Sequence, residues 1–140
     1  MKDGDDKIPS VKSARIKIYR MKDFLRLTET GEIDVHRSKE IVRQLAAMAA
    51  FHADHNILLD LRGTTIQEGN MSTTLEVALE IARYRSAFKG KMANLVPDDE
   101  QRLVVARQLK ALMDIKGFQY EIFTNFEEAV EWLSDITVAG

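Results

Sequence analysis

Three apolar runs, each followed closely by a helix-like pattern, constrain this chain more than anything else in it. They are NILLDL at 56–61, KMANLV at 91–96 and FQYEIF at 118–123. NILLDL is short and almost continuously apolar, as in a strand covered on both faces. The segments that follow the runs carry apolar residues at three- and four-residue spacing, the signature of amphipathic helices. Strands that alternate with helices pair in parallel through right-handed crossovers. The expectation is an α/β domain.

The segment before these units reads differently. In ARIKIYRM, Ile16 and Ile18 alternate with Lys17 and Tyr19, and in FLRLTET, Leu25 and Leu27 repeat the alternation. That is the period of half-buried strands. Lys22-Asp23 between them suggests an N-terminal antiparallel hairpin, although two-residue turns favour Gly or Asn. Thr30-Gly31 reads as a further turn, with EID after it as a short strand. Asp34 is placed to cap a helix from Val35 to about His52. A second helix is expected over Met71–Phe88. Asp98 with Gln101, and Thr124 with Glu127, have capping-box spacing for the third and fourth helices. Gly117 suits the left-handed stop of the third. The sum is one mixed sheet of about five strands with an N-terminal hairpin and four helices. It occupies residues 14–140 after a charged lead-in at 1–13.

Composition narrows the function classes. The 140 residues are 45% hydrophobic and 30% charged, enough for one folded core. The absence of cysteine removes disulfides, thiolate metal sites and cysteine nucleophiles. A net charge of −2 argues against a nucleic-acid binder, which draws its phosphate contacts from Lys and Arg. No stretch reaches the ~18 apolar residues of a membrane span. The first residues have no apolar core of a signal peptide, so a cytoplasmic location is expected.

The expected loop at Asp60–Asn70 holds Asp60, Arg62, Gly63 and Gly69 and leads to the hydroxyls of Ser72, Thr73 and Thr74. Its glycines are too far apart, and lack the following Lys, for a nucleotide cradle. Asn70, Ser72 and Thr73 would serve as helix caps. A phosphate on Ser72 or Thr73 would also be stabilised there by the helix N-terminus. Asp60, Arg62, Glu68 and Arg102 form no recognisable nucleophile–base motif, and a structural role for Asp60, holding Arg62, is expected. His52, Asp54 and His55 lack a further neighbouring ligand, so no metal site is expected.

The hairpin, LLDLRG, the hydroxyl-bearing loop and the closing GFQYEIFTNFEEAVEWL together resemble the STAS family, in its anti-sigma-factor antagonist-like, divergent bacterial branch. The resemblance covers roughly Arg15–Asp135. It implies a mixed sheet flanked by helices and a non-catalytic regulatory module without a cofactor. Its partner would be a regulatory kinase, an anti-sigma-like protein or a second copy in a homodimer. Aligned on Leu75, Thr73 falls on that branch's phosphoacceptor and Ser72 just before it. Met71 and Thr74 stand where the motif has an acid and a glycine.

The second helix is apolar around an unusually wide arc. Leu75, Ala78, Leu79 and Ala82 form one stripe, and Val77, Ile81, Tyr84 and Phe88 another. A surface helix usually shows a single stripe of about 100° or somewhat more. The sheet can cover one stripe. Val77, Ile81, Tyr84 and Phe88 are then the expected interaction surface. In the alternative, a carrier or sensor of a small apolar or lipid-like ligand, the same residues would line a cavity. The third helix repeats this more mildly, with Val105, Leu109, Leu112 and Met113 against Val104, Ala111 and Ile115.

Overall fold

A computed structural model of the chain describes residues 16–20, 24–52, 55–67 and 71–139. The strands are β1 (Ile16–Arg20), β2 (Phe24–Glu32), β3 (Asn56–Thr65), β4 (Lys91–Leu95), β5 (Gln119–Phe123) and β6 (Asp135–Ala139). The helices are α1 (Val35–Ala49), α2 (Met71–Arg83), α3 (Glu100–Ile115) and α4 (Phe126–Leu133), with a 3₁₀ turn at Arg85–Ala87. The α/β class holds.

Strands β2 to β5 make a four-stranded sheet in sequential order, and every neighbouring pair is parallel. Strand β1 pairs antiparallel with β6 in a separate two-stranded ribbon, with Ile16 opposite Ala139. The expected mixed sheet and N-terminal hairpin are therefore replaced by a parallel sheet and a ribbon that joins the two ends of the described chain. Alternation in a strand reports which faces are covered; it does not name the neighbour. Strand β2 takes a long parallel register on β3, from Phe24 opposite Asn56 to Glu32 opposite Thr65. Thr30-Gly31 is not a turn between strands. Gly31, at φ +91°, lies inside β2 next to an irregularity between Thr28 and Thr30.

Consecutive parallel strands joined by right-handed crossovers place successive helices on one face of a sheet. Accordingly α1 packs on α2 and α2 on α3, while α4 packs against β4 and β5. Alternate residues of β3 divide between two cores. Ile57 and Leu61 join the larger one with α1, α2 and α3, and Leu58 joins the smaller one with Ala93, Ala129 and Leu133. Asn56 ties the layers together: its Oδ1 accepts from Lys91 N–H at 2.9 Å and its Nδ2 donates to the Leu133 carbonyl at 3.0 Å. Gly90 permits this closeness, since a Cβ there would lie 2.7 Å from Asn56 Oδ1.

Helix ends follow capping chemistry, with two shifts of one residue. Asp34 caps α1, accepting from Arg37 N–H at 2.7 Å. Asp99, rather than Asp98, caps α3, and Asn125, rather than Thr124, caps α4. Each cap carries its side-chain oxygen three residues ahead to a free N–H. Gly117, at φ +83°, ends α3. Its N–H reaches Asp114 O and that of Phe118 reaches Met113 O, both at 3.1 Å, which is the Schellman pattern. No helix among the described residues is long and apolar enough to cross a membrane.

Candidate functional site

A cavity of about 600 Å³ lies between the parallel sheet and the layer of α1, α2 and α3. Ile41, Val42 and Leu45 come from α1, Val77 and Ile81 from α2, and Ala106 and Leu109 from α3. Leu59 and Leu61 of β3, Met92 and Asn94 of β4, and Tyr120 of β5 line the sheet side. Its rim reaches the exposed residues Glu32, Asp34 and Gln67 at the carboxyl ends of β2 and β3.

Three groups of polar side chains interrupt the apolar wall, beside the hydroxyls of Ser38, Thr73 and Thr74. At the rim, Arg37 donates from Nε and Nη2 to both oxygens of Glu29, at 2.7 and 2.9 Å. That guanidinium holds the Glu29 carboxyl below the usual carboxylate range. Deeper in, Arg102 is only 8% exposed. Its Nη1 donates to the Thr64 carbonyl and its Nη2 to Thr64 Oγ1, both at 2.9 Å. Burial draws the Arg102 pKa below its ordinary value, and the Asp99 carboxylate opposes that shift. On the sheet, Asn94 donates from Nδ2 to the Tyr120 hydroxyl, while its Oδ1 is buried without a partner. Burial raises the Tyr120 pKa above its ordinary value.

Strand alternation sends Asp60 to the opposite face. Asp60 accepts from Arg62 Nε at 3.0 Å, Arg62 Nη2 at 2.9 Å, the Arg62 backbone N–H at 3.2 Å and Arg26 Nη2 at 3.1 Å. The Arg62 side chain is the main reason its carboxyl is held below the usual range. Both guanidinium groups also face the Phe126 ring, at 5.0 and 5.9 Å from its centroid. Asp60 thus fixes two arginines against α4 and does not reach the cavity. Asp60, Arg62 and Gly63 belong to β3 and not to a loop, since the strand continues to Thr65. Gly63 lies opposite Thr30, and a Cβ there would come within 3.1 Å of Thr30 Cγ2. Glu68, Gly69 and Asn70 lie outside the described residues, as does Asp54.

The hydroxyl pair divides. Ser72 is exposed in the first turn of α2, whereas Thr73 is half-buried and lines the cavity. Of the four apolar residues expected to form an interaction surface, Val77, Ile81 and Phe88 line the cavity. Tyr84 is half-buried against the same core. Phe88 is not on α2, which ends at Arg83; the 3₁₀ turn brings its ring inward, to 4% exposure. The apolar residues that α2 leaves in solvent are instead Met71, Leu75 and Leu79, spaced four apart. The His52 and His55 rings lie tilted against each other, with centroids 4.8 Å apart. Among the described residues no group of three or more His, Asp or Glu side chains converges on a metal position.

Asn94 and Tyr120 were not singled out by the sequence. An asparagine inside the apolar run KMANLV was the available signal. No protein-family model matches the chain, and no curated protein matches it.

Proposed function

We propose that this domain is a non-catalytic carrier or sensor of a small, mostly apolar ligand held between the sheet and helices α1–α3. The cavity is the observation that carries this reading. Its volume of about 600 Å³ falls within the range of small-molecule sites, roughly 300–1,000 Å³. Its walls are largely aliphatic, with a few polar groups. Native mass spectrometry of the protein purified from its own host tests the reading. A retained small-molecule mass, lost on organic extraction, is expected. A bare protein mass, together with no uptake of added apolar probes, would remove it.

A second reading is a cytoplasmic STAS-type regulatory module that docks another protein or a second copy of itself. It is favoured by the exposed row of Met71, Leu75 and Leu79 beside the exposed hydroxyl of Ser72. The docking stripe would then be this outward row. Leu75→Asp or Leu79→Asp would change oligomeric state or partner capture while leaving the fold intact. The two readings are compatible, because α2 has one face on the cavity and another in solvent.

A further inference from the structure

We propose, building on the cavity reading, that the ligand is an amphipathic carboxylate whose anionic head pairs with Arg102 and whose apolar body lies along α1 and α2. The pairing of charges in the cavity singles out Arg102. Among the described lining residues are two cations, Arg37 and Arg102, and three acids, Glu29 and the exposed rim residues Glu32 and Asp34. Arg37 is matched by Glu29 in a two-point ion pair. Arg102 makes no ion pair with any described residue; its guanidinium rests on the two neutral oxygens of Thr64. Asp99 turns its Oδ2 to the Arg102 backbone N–H, at 3.1 Å, as the helix cap.

A buried guanidinium with no carboxylate in direct contact is expensive, because its desolvation is offset only by the more distant Asp99 carboxylate. Folding has already removed most of the water from Arg102. An arriving carboxylate therefore meets a cation that has already lost most of its hydration. Arg102 Nε makes no hydrogen bond, yet it is not among the sealed side-chain atoms that lack a partner, which are Glu80 Oε2 and Asn94 Oδ1. It keeps accessible surface on a side chain that lines the cavity. Thr64 fixes the fork: its Oγ1 donates to the Leu61 carbonyl at 2.7 Å while accepting from Arg102. A planar, pre-positioned guanidinium matches a carboxylate. One unmatched cation suits a monoanion better than a phosphate dianion, which would call for further donors.

The test compares decanoate with decanol, probes that share a chain length and differ in head group. Binding is measured by titration calorimetry at neutral pH on the unaltered protein, Arg102→Met and Val77→Trp, the last of which fills the cavity. Decanoate should bind about tenfold more tightly than decanol, or better, as expected for hydrogen bonds to a charged group. Arg102→Met should abolish that preference while decanol still binds, and Val77→Trp should weaken both. If decanoate binds no better than decanol and both are lost in Val77→Trp, the carboxylate assignment falls and the cavity reading stands. If neither probe binds, or Val77→Trp changes nothing, both fall. The acid–alcohol comparison requires no variant, so a misfolded Arg102→Met does not shield the proposal.

Discussion

A matched pair of substitutions asks whether the space beneath α3 is vacant in the free protein. Ala106 lines the cavity, and Ala129 is sealed at 0% exposure in the small core under α4. Changing either to leucine adds the same isopropyl group. At Ala106 the added carbons enter the void. At about 0.8 kcal/mol per buried methylene they contribute roughly 2 kcal/mol. Ordering the leucine side chain returns about 0.5–1 kcal/mol of that. The net expectation is a gain of about 1–1.5 kcal/mol. At Ala129 there is no void, so the same group must displace Leu58, Ala93 or Leu133. Overpacking of that kind costs about 1–3 kcal/mol. Urea denaturation of ligand-stripped protein should therefore move the two midpoints in opposite directions with an unchanged slope, and Ala106→Leu should also take up less decanol. Equal destabilisation by both variants would show that the space under α3 does not admit a leucine, and the reasoning from volume would fail.

Asp60→Asn should lower the urea midpoint at pH 7, because Arg62 and Arg26 lose their anion. Asp60 has a depressed pKa in the fold, so its contribution is complete above the unfolded value of about 4 and disappears as pH falls through the folded value. The gap between variant and parent should therefore narrow in acid, and a gap constant from pH 7 to pH 3 would contradict the assignment. Tyr120→Phe strands the Asn94 carboxamide and should cost about 1–3 kcal/mol, whereas Tyr120→Phe with Asn94→Leu should cost less than the sum of the two single changes. A double-mutant cycle with no coupling would mean that the pair contributes nothing. Gly117→Ala forces a Cβ into the left-handed region and should cost about 1–2 kcal/mol by thermal denaturation; no loss would mean that α3 ends differently in solution.

The strand–helix repeats were legible because each run had a distinct period and a breaker at its end. NILLDL, KMANLV and FQYEIF became the parallel strands, and Gly117 closed α3 where a left-handed residue was needed. What could not be read was partnership. The β1 segment has the alternation of a hairpin arm, and Phe24–Leu27 has the same alternation nearby, so proximity favoured pairing them. The β-branched run DITVA at 135–139 offered an equally good arm, more than a hundred residues away. Local turn chemistry did carry a warning, since Lys22-Asp23 lacks the Gly or Asn that a tight hairpin prefers. The displaced caps have a similar cause. Asp98-Asp99 and Thr124-Asn125 each present two competent cap residues in succession, and in both the second one caps the helix.

The second helix shows how far a pattern reaches and where it stops. Its wide apolar arc correctly announced more apolar surface than the sheet alone could cover, but not which stripe turns inward. Ala78 decides it. A methyl side chain at 0% exposure marks the line of closest approach to the rest of the domain. With Ala78 central, Val77 and Ile81 fall on the cavity side and Leu75 and Leu79 on the solvent side. The charged residues agree: Glu76 meets Lys39 at 3.2 Å, and Glu80 lies 3.8 Å from Arg43, so both acids are drawn toward α1. That clamp fixes the rotation of α2, and with it the direction of Val77. The cavity wall and the exposed leucine row are thus two consequences of one helix orientation. A rigid-body shift of α2 produced at Val77 or Ile81 would carry Leu75 and Leu79 with it, which gives occupancy of the cavity a physical route to the surface.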